Sequence, residues 1–224
     1  MSEIDSQHIP YHIEEKSSAD SIQASSDFFN LMDKRRSVRF FSDKDVPEEV
    51  INNIIKTAST APSGAHKQPW TFCVINSKTL KHELREKAEI EERINYKSRM
   101  SETWKRDLAH LGTDDVKEFI DIAPWIIVVM RKPYDFDENG KKLNNYYVNE
   151  SVGIASGFLI AAIHNAGLTT LTHTPSPMAF ISKVLNRPEN EKPYLLLPVG
   201  YPSDDCKVPN LKRKKLNEIA FYYR

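Results

Sequence analysis

The chain has 224 residues and a mass of 25.8 kDa, a length that suits one domain with a substantial buried core. Its 31 lysines and arginines balance 31 aspartates and glutamates, and this zero net charge argues against a nucleic-acid-binding protein, which normally carries a basic surplus. Only seven glycines occur, and they form neither G-x-G-x-x-G nor G-x-x-x-x-G-K-[ST]. Because both backbone cradles for phosphate are missing from the sequence, side chains must hold any phosphorylated cofactor.

The N-terminal region is polar, with seven serines in residues 1–27, and predicts an extended or loosely ordered arm. A single domain is predicted over residues 28–224. The N-terminus has neither the basic nor the apolar region of a signal peptide, and the longest apolar stretch, 152–163, is too short to span a bilayer. Cys73 and Cys206 form no C-x-x-C motif, and free thiols suit a reducing compartment. These features predict a cytoplasmic protein without a membrane segment.

The pattern of apolar residues predicts alternating helices and strands. A short helix is predicted over 28–34, and a second helix starts at Pro47, since apolar residues recur there at helical spacing. Further helices are predicted over 77–111, 144–166 and 177–185, and strands over 71–75, 125–130, 168–174 and 194–199. Gly153 and Gly157 lie on one helix face, where a helix of the same subunit or of a partner subunit can approach closely. The irregular alternation favours a mixed α+β layer fold.

Three segments carry residue types suited to binding. Residues 35–39 place three arginines around the Ser37 hydroxyl, and planar guanidinium groups match phosphate oxygens; a solvated basic turn is the alternative. Residues 61–70 contain two prolines and Gly64 and predict a rigid turn that can present backbone N–H groups to a ligand. The basic run 212–214 is either a further cationic contact or a solvated tail.

Several stretches resemble the nitroreductase superfamily of FMN proteins, and within it the iodotyrosine deiodinase branch. The matching stretches are RRSVRF at 35–40, TAPSGAHKQPWTF at 60–72, NAGLTTLTHTP at 165–175, LLPVGYP at 196–202 and VPNLKRK at 208–214. They are distributed over nearly all of residues 28–219. The resemblance implies a nitroreductase-like α+β fold with a mixed central sheet flanked by helices. It also implies an intertwined homodimer with FMN at the interface.

The resemblance assigns the polar end of FMN to the basic segments. Arg35, Ser37 and Arg213 would hold the phosphate and the ribityl chain, and Arg36 belongs to the same binding segment. Arg39 would reach the N1/C2-carbonyl edge, where reduced flavin accumulates negative charge that a fixed cation stabilises.

The resemblance also assigns residues to the flavin ring. Ser63 would contact FMN from the partner chain, and the stretch Thr172, His173 and Thr174 would pass the ring. Thr174 would take a catalytic role by offering its hydroxyl to flavin N5. Without the resemblance, Thr174 is an ordinary strand-end threonine before a proline.

A carboxylate, a phenol and an ammonium suggest a receptor for an amino acid. Glu92 and Tyr96 are spaced i and i+4, which places them on one helix face, and Lys117 is expected on a helix that follows the 77–111 region. By resemblance, Glu92 would pair with the substrate α-ammonium and Lys117 with its α-carboxylate, with Tyr96 completing the set. The Ala65 N–H would bind the substrate phenolate. An ordinary solvated helix surface is the alternative for this charged region.

These assignments imply an FMN-dependent oxidoreductase that removes halide from halotyrosines. Two alternatives stay open: a general NAD(P)H-dependent nitro- or quinone reductase of the same fold, and a flavoprotein that binds halotyrosine without turnover. No dinucleotide fingerprint is visible, so a separate reductase is expected as a possible electron donor. No metal site is predicted.

Overall fold

A computed structural model describes residues 8–224, which divide between Arg35 and Arg36 into two compact units. The described part of the first unit contains helix α1, Ser18–Asp33, which begins where the Ser17 side chain accepts a hydrogen bond from the Asp20 N–H. The expectation of a loosely ordered arm is therefore wrong for residues 18–27. The helix starts ten residues before the predicted residue 28 because a serine N-cap, rather than an apolar period, marks its beginning.

The second unit is built on a four-stranded sheet in the order β1-β2-β6-β5. Its strands are β1 (Trp70–Ile75), β2 (Trp125–Arg131), β5 (Thr169–Thr170) and β6 (Lys192–Gly200). All three ladders are antiparallel, and one parallel bridge joins Ser37 to Thr170. A separate antiparallel hairpin consists of β3 (Tyr134–Phe136) and β4 (Lys142–Asn144). The predicted α+β class is confirmed.

Six helices accompany these strands in the second unit. They are α2 (Glu48–Ser59), α3 (Lys78–Ile94), α4 (Glu102–Ala109), α5 (Phe119–Ile122), α6 (Val148–Asn165) and α7 (Ala179–Val184). The prediction of a single helix over 77–111 is wrong. A π-helical segment, Asn95–Arg99, follows α3, and Met100 is extended with ψ 132°. The Ser101 hydroxyl then accepts a hydrogen bond from the Trp104 N–H and starts α4.

The central strand β2 is buried on both faces, and its alternating side chains enter two different cores. Ile127 and Val129 pack in the core that contains residues of α2 and α6. Ile126 and Val128 pack in the core that contains residues of α3, α5 and α7. The sheet is thus covered by helices on both faces, and the connecting loops lie at the two ends of its strands.

Three further features bear on the sequence predictions. Cys73 and Cys206 are both free and partly buried. Within residues 8–224, no helix is long and apolar enough to cross a membrane. The same part of the chain contains no cluster of His, Cys, Asp or Glu side chains arranged to hold a metal ion.

Candidate active site

The basic segment that follows α1 lies beside the short edge strand β5. The Val38 N–H donates to the Thr170 carbonyl at 3.1 Å, next to the parallel bridge between Ser37 and Thr170. This pairing leaves the Ser37 side chain exposed, whereas Arg36 and Arg39 are half-buried. Burial lowers the pKa of Arg39, and a nearby Tyr96 partly opposes that shift. Arg39 stays cationic because guanidinium groups ionise far above neutral pH.

The Thr172–Thr174 stretch continues from β5 with alternating orientation. Thr172 and Thr174 are exposed, while His173 is buried and exchanges backbone hydrogen bonds of 2.8 and 2.9 Å with Leu196. The two threonine hydroxyls can therefore face a ligand on the outer surface of this strand. The His173 side chain points instead into the protein.

His173 is an unusual buried group. Its ring packs edge-on against Phe119, with 5.6 Å between centroids, and its Nε2 has no hydrogen-bond partner among the described residues. Burial, together with the charges of Lys117 and Arg39, lowers the pKa of His173 to about 3. The imidazole is consequently neutral throughout the physiological pH range.

Two cavities meet at Arg39. One, of about 220 Å³, is bordered by Ser37, Arg39 and the loop segments 110–112 and 207–209. The other, of about 210 Å³, is bordered by Arg39, Phe119 and residues 112–114. The arginine thus lies between a cavity that reaches the basic segment and a cavity that reaches the loop before α5.

The predicted amino-acid receptor is assembled in this region. Glu92 on α3 and Lys117 are 8% and 3% exposed, and the Lys117 Nζ lies 3.6 Å from the Glu92 Oε2. Tyr96 donates its hydroxyl to the Thr113 carbonyl at 3.0 Å, which ties it to the same loop. Lys117 also donates to the Asp114 carbonyl. The structure therefore brings Glu92, Tyr96 and Lys117 together.

Two details of this receptor differ from the sequence expectation. Lys117 lies in the loop two residues before α5, not on a helix, because α5 is a single short turn that begins at Phe119. Glu92 and Lys117, expected to bind opposite ends of a ligand, pair with each other. Burial raises the pKa of Glu92 although the Lys117 ammonium opposes the shift, and burial also raises the pKa of Tyr96.

The turn at residues 63–68 has an uncommon backbone. Ala65, His66 and Gln68 have φ values of 49°, 53° and 47°, in the left-handed region that non-glycine residues seldom adopt. The Ser63 hydroxyl accepts from the Gln68 N–H at 2.9 Å. The N–H of Ala65, an exposed residue, has no hydrogen-bond acceptor among the described residues. This geometry leaves an unpaired backbone donor at an exposed residue, Ala65.

The turn packs against the start of α6. The Gly64 N–H donates to the Ser151 hydroxyl at 3.3 Å, and a Cβ on Gly64 would lie 2.9 Å from the Tyr147 ring and 3.0 Å from the Tyr146 carbonyl oxygen. Only glycine allows this close approach without a shift of the neighbouring residues.

The turn at residues 63–68 lies near one end of β2. The charged receptor, formed by Glu92, Tyr96 and Lys117, lies near the other end. The turn leads into Trp70, which pairs with Arg131 at the end of β2, whereas Lys117 and α5 lead into Trp125 at its start. A strand of seven residues separates these ends by about 20 Å. In the described part of the chain, no hydrogen bond or ion pair joins the turn to Glu92, Tyr96 or Lys117.

The remaining predicted residues are Arg35 and Arg213. Arg35 ends the first compact unit. Arg213 lies in an exposed segment that precedes the turn Leu216–Glu218. Sequence reasoning missed the loop residues Thr113 and Asp114, whose backbone carbonyls hold Tyr96 and Lys117. Backbone acceptors leave no signature in side-chain identity, so no motif could have shown them.

Comparison with known proteins agrees with the fold. The sequence profile of the Nitroreductase family matches residues 32–201. The chain is 53% identical over 215 residues to an iodotyrosine deiodinase of Haliscomenobacter hydrossis, with 96% of this chain and 97% of that protein covered. It is 48% identical over 219 residues to iodotyrosine deiodinase 1 of Homo sapiens, covering 97% and 76%.

A solved structure gives the same result. The crystal structure of an oxidized iodotyrosine deiodinase bound to FMN and 3-iodo-L-tyrosine superposes with a TM-score of 0.75 at 29% identity, covering 88% of this chain and 98% of the other. The chain therefore belongs to the nitroreductase family and, within it, to the iodotyrosine deiodinase branch. The family resemblance predicted from the sequence motifs is confirmed.

Proposed function

We propose that the protein is an FMN-dependent oxidoreductase that removes halide from halotyrosines and releases tyrosine. The observation that carries this proposal is the set formed by the buried Glu92 and Lys117 and the half-buried Tyr96, which offers an acceptor and a donor to the two charges of an amino acid. The names of the related proteins support the same activity.

The residues around Arg39 fit FMN. The half-buried guanidinium borders both cavities, the Ser37 hydroxyl is exposed beside the basic segment, and Thr172 and Thr174 face outward from the neighbouring strand. Arg35, Arg36, Ser37 and Arg213 would hold the phosphate and ribityl chain, and Arg39 would neutralise charge at the flavin edge. When bound and reduced, FMN supplies the two electrons of the reaction.

The Thr172–Thr174 stretch would line the flavin. Thr174 would hold a hydrogen bond to flavin N5 through its exposed hydroxyl, and Thr172 would flank the ring. His173, whose ring is turned inward, would contribute to the site through the position of the strand. These roles follow the orientation of the three side chains.

Substrate binding would exchange partners within the charged receptor. The α-ammonium would replace Lys117 as the partner of Glu92, and the α-carboxylate would replace Glu92 as the partner of Lys117. Each buried charge would then remain paired, which avoids the large penalty for leaving a buried charge alone. Tyr96 and the loop that holds it would exclude water.

The overall change at the substrate is balanced. The carbon–halogen bond breaks and a carbon–hydrogen bond forms, so the ring consumes two electrons and one proton while halide leaves. The Ala65 N–H would hold the phenolate oxygen and thereby orient the ring for this step.

The active protein is proposed to be a homodimer in which each site uses both chains. The turn that carries Ser63 and Ala65 lies at the opposite end of the sheet from the charged receptor, so a second copy would supply it. Helix α6 offers a surface for that copy, because small or apolar residues occupy its exposed positions 154, 157 and 158: Ile154, Gly157 and Phe158. We place the protein in the cytoplasm, where its free cysteines would stay reduced, and propose a separate reductase as the electron donor.

An anaerobic titration tests this function. The purified, reduced holoenzyme is titrated with 3-iodotyrosine while flavin absorbance and free iodide are followed. One iodide released per reduced flavin is expected. Tight binding without iodide release would instead identify a halotyrosine-binding flavoprotein.

A substitution distinguishes the deiodinase from a general reductase. Glu92→Gln is expected to weaken 3-iodotyrosine binding strongly and to leave nitroaromatic reduction nearly unchanged, because a flat nitroaromatic has no ammonium group. The control is Glu91→Gln, which removes a more exposed carboxylate paired with Arg99 at 2.6 Å. If the enzyme reduced nitroaromatics rapidly with NADPH and showed no preference for halotyrosine, this result would contradict the proposal.

A further inference from the structure

A second glutamate on α3 holds the backbone of the residue that completes the charged receptor. The Glu89 Oε1 accepts the Lys117 N–H at 2.8 Å and also accepts the Arg85 Nε–H at 2.7 Å. The Glu89 and Arg85 side chains are only 14% and 23% exposed. One carboxylate oxygen therefore links the Lys117 main chain to helix α3.

The same face of α3 also binds the residues that follow Lys117 in the chain. The Arg85 Nη1 donates to the Asp121 Oδ2 at 3.0 Å, and the buried Lys81 Nζ donates to the carbonyls of Asp121 and Ala123 at 2.9 and 2.6 Å. Lys81, Arg85 and Glu89 are spaced by four residues and form one stripe along the helix. This stripe attaches residues 117–123 to α3 at three points.

The Lys117 backbone makes one other hydrogen bond within the described residues, in which its carbonyl accepts from the Ile120 N–H at 3.0 Å. It lies outside regular secondary structure, in the loop that joins residues 113–116 to α5. Glu89 is one helical turn before Glu92, so the same turn of α3 carries the carboxylate that faces Lys117 and the carboxylate that fixes its main chain.

We propose that Glu89 is a positioning residue that sets the distance between the Lys117 ammonium and the Glu92 carboxylate, and thereby adapts the site to the length of an α-amino acid. This role rests on the proposed function of the two charges as the receptor for a zwitterion. Glu89 itself does not touch the substrate and acts only through Lys117.

The ionisation of Glu89 agrees with this role. Burial opposes its charged form, but hydrogen bonds from Arg85 and from the Lys117 N–H outweigh burial and hold the pKa of Glu89 below its ordinary value. The carboxylate is therefore charged at neutral pH, where a charge-assisted hydrogen bond is stronger than a neutral one.

The test compares Glu89→Ala with Glu89→Gln and with the control Glu83→Ala. Glu83 lies on the same helix in a largely exposed ion pair with Lys87 at 3.7 Å. In the reduced holoenzyme, Glu89→Ala is expected to raise the KM for 3-iodotyrosine by about 10-fold to 100-fold, the range for one hydrogen bond to a charged group. The kcat and the nitroaromatic activity are expected to change little. Glu89→Gln keeps the acceptor oxygen and is expected to recover much of the lost affinity.

Hydrogen exchange at the Lys117 amide gives a readout that needs no turnover. Faster exchange is expected in Glu89→Ala and near-wild-type exchange in Glu89→Gln and Glu83→Ala. Unchanged exchange in Glu89→Ala, or an equal loss of halotyrosine and nitroaromatic activity, would overturn the positioning role. Absence of iodide release by the wild type would instead refute the proposed function, and the exchange experiment would still decide whether Glu89 holds Lys117.

Discussion

The buried His173 makes stability depend on pH in a direction that can be worked out. In the unfolded chain the imidazole titrates near its ordinary value of 6.5, whereas in the folded protein its pKa is lowered to about 3. Between these values the unfolded chain binds a proton that the folded protein does not, so stability falls as the pH is lowered through this range.

The size of the effect follows from the same two values. Between pH 7 and pH 5 the unfolded His173 becomes almost fully protonated and the folded one stays neutral. This difference removes about 2 kcal/mol from the free energy of unfolding. The physical causes are burial of the ring and the positive charges of Lys117 and Arg39.

The assay is urea unfolding of the FMN-saturated protein at pH 7 and at pH 5, for the wild type and for His173→Gln. Other titrating groups contribute equally to both proteins, so the wild type is expected to lose about 2 kcal/mol more than the variant. His82→Gln is the control with the opposite sign. The hydrogen bond with Asp121 raises the pKa of His82, so its stabilisation is present below pH 6.5 and is lost as the pH rises through its folded pKa. Parallel losses in the wild type and in His173→Gln would refute the reasoning.

Four single substitutions and one double substitution test the packing and the charges. Glu92→Gln or Lys117→Gln alone is expected to destabilise the protein by about 3–5 kcal/mol, and the double substitution by much less than the sum, as measured by urea unfolding; strictly additive losses would contradict a buried pair. Gly64→Ala places a Cβ 2.9 Å from a tyrosine ring, so we expect a displaced turn and weaker halotyrosine binding in a fluorescence titration, and unchanged affinity would contradict this. Gly200→Ala places a Cβ 2.5 Å from the Pro124 Cδ, and a thermal melt is expected to show a loss of about 1–3 kcal/mol, whereas an unchanged Tm would exclude the clash.

Local patterns predicted much of the fold. The runs at 71–75, 125–130 and 194–199 are strands within one residue or a few residues of the predicted ends, because short continuous apolar runs bounded by turn residues are typical of strands that pack in a core. The long charged region was less informative. Its division at Met100 and Ser101 depends on one serine cap that, in a polar sequence, looks like any surface serine.

The sequence predicted a set of residues for the site but not the contacts among them. The i, i+4 spacing predicted one helix face for Glu92 and Tyr96, but Glu92 lies on α3 and Tyr96 lies in the π-helical segment that follows it. The pairing of Glu92 with Lys117 joins residues far apart in the chain, and the role of Glu89 depends on a main-chain N–H of a loop. Tertiary packing determines such contacts, and neither composition nor periodicity encodes them.

The internal ion pair also bears on how the site would select its substrate. A ligand with both an ammonium and a carboxylate can replace each member of the pair with an equivalent partner. A ligand with only one charge would leave Glu92 or Lys117 buried without a counterion, at a cost of several kcal/mol. A neutral aromatic would leave the pair intact and gain nothing from it. Discrimination in favour of zwitterionic aromatics would therefore arise from the chain's own paired charges, in addition to any fit of the ring.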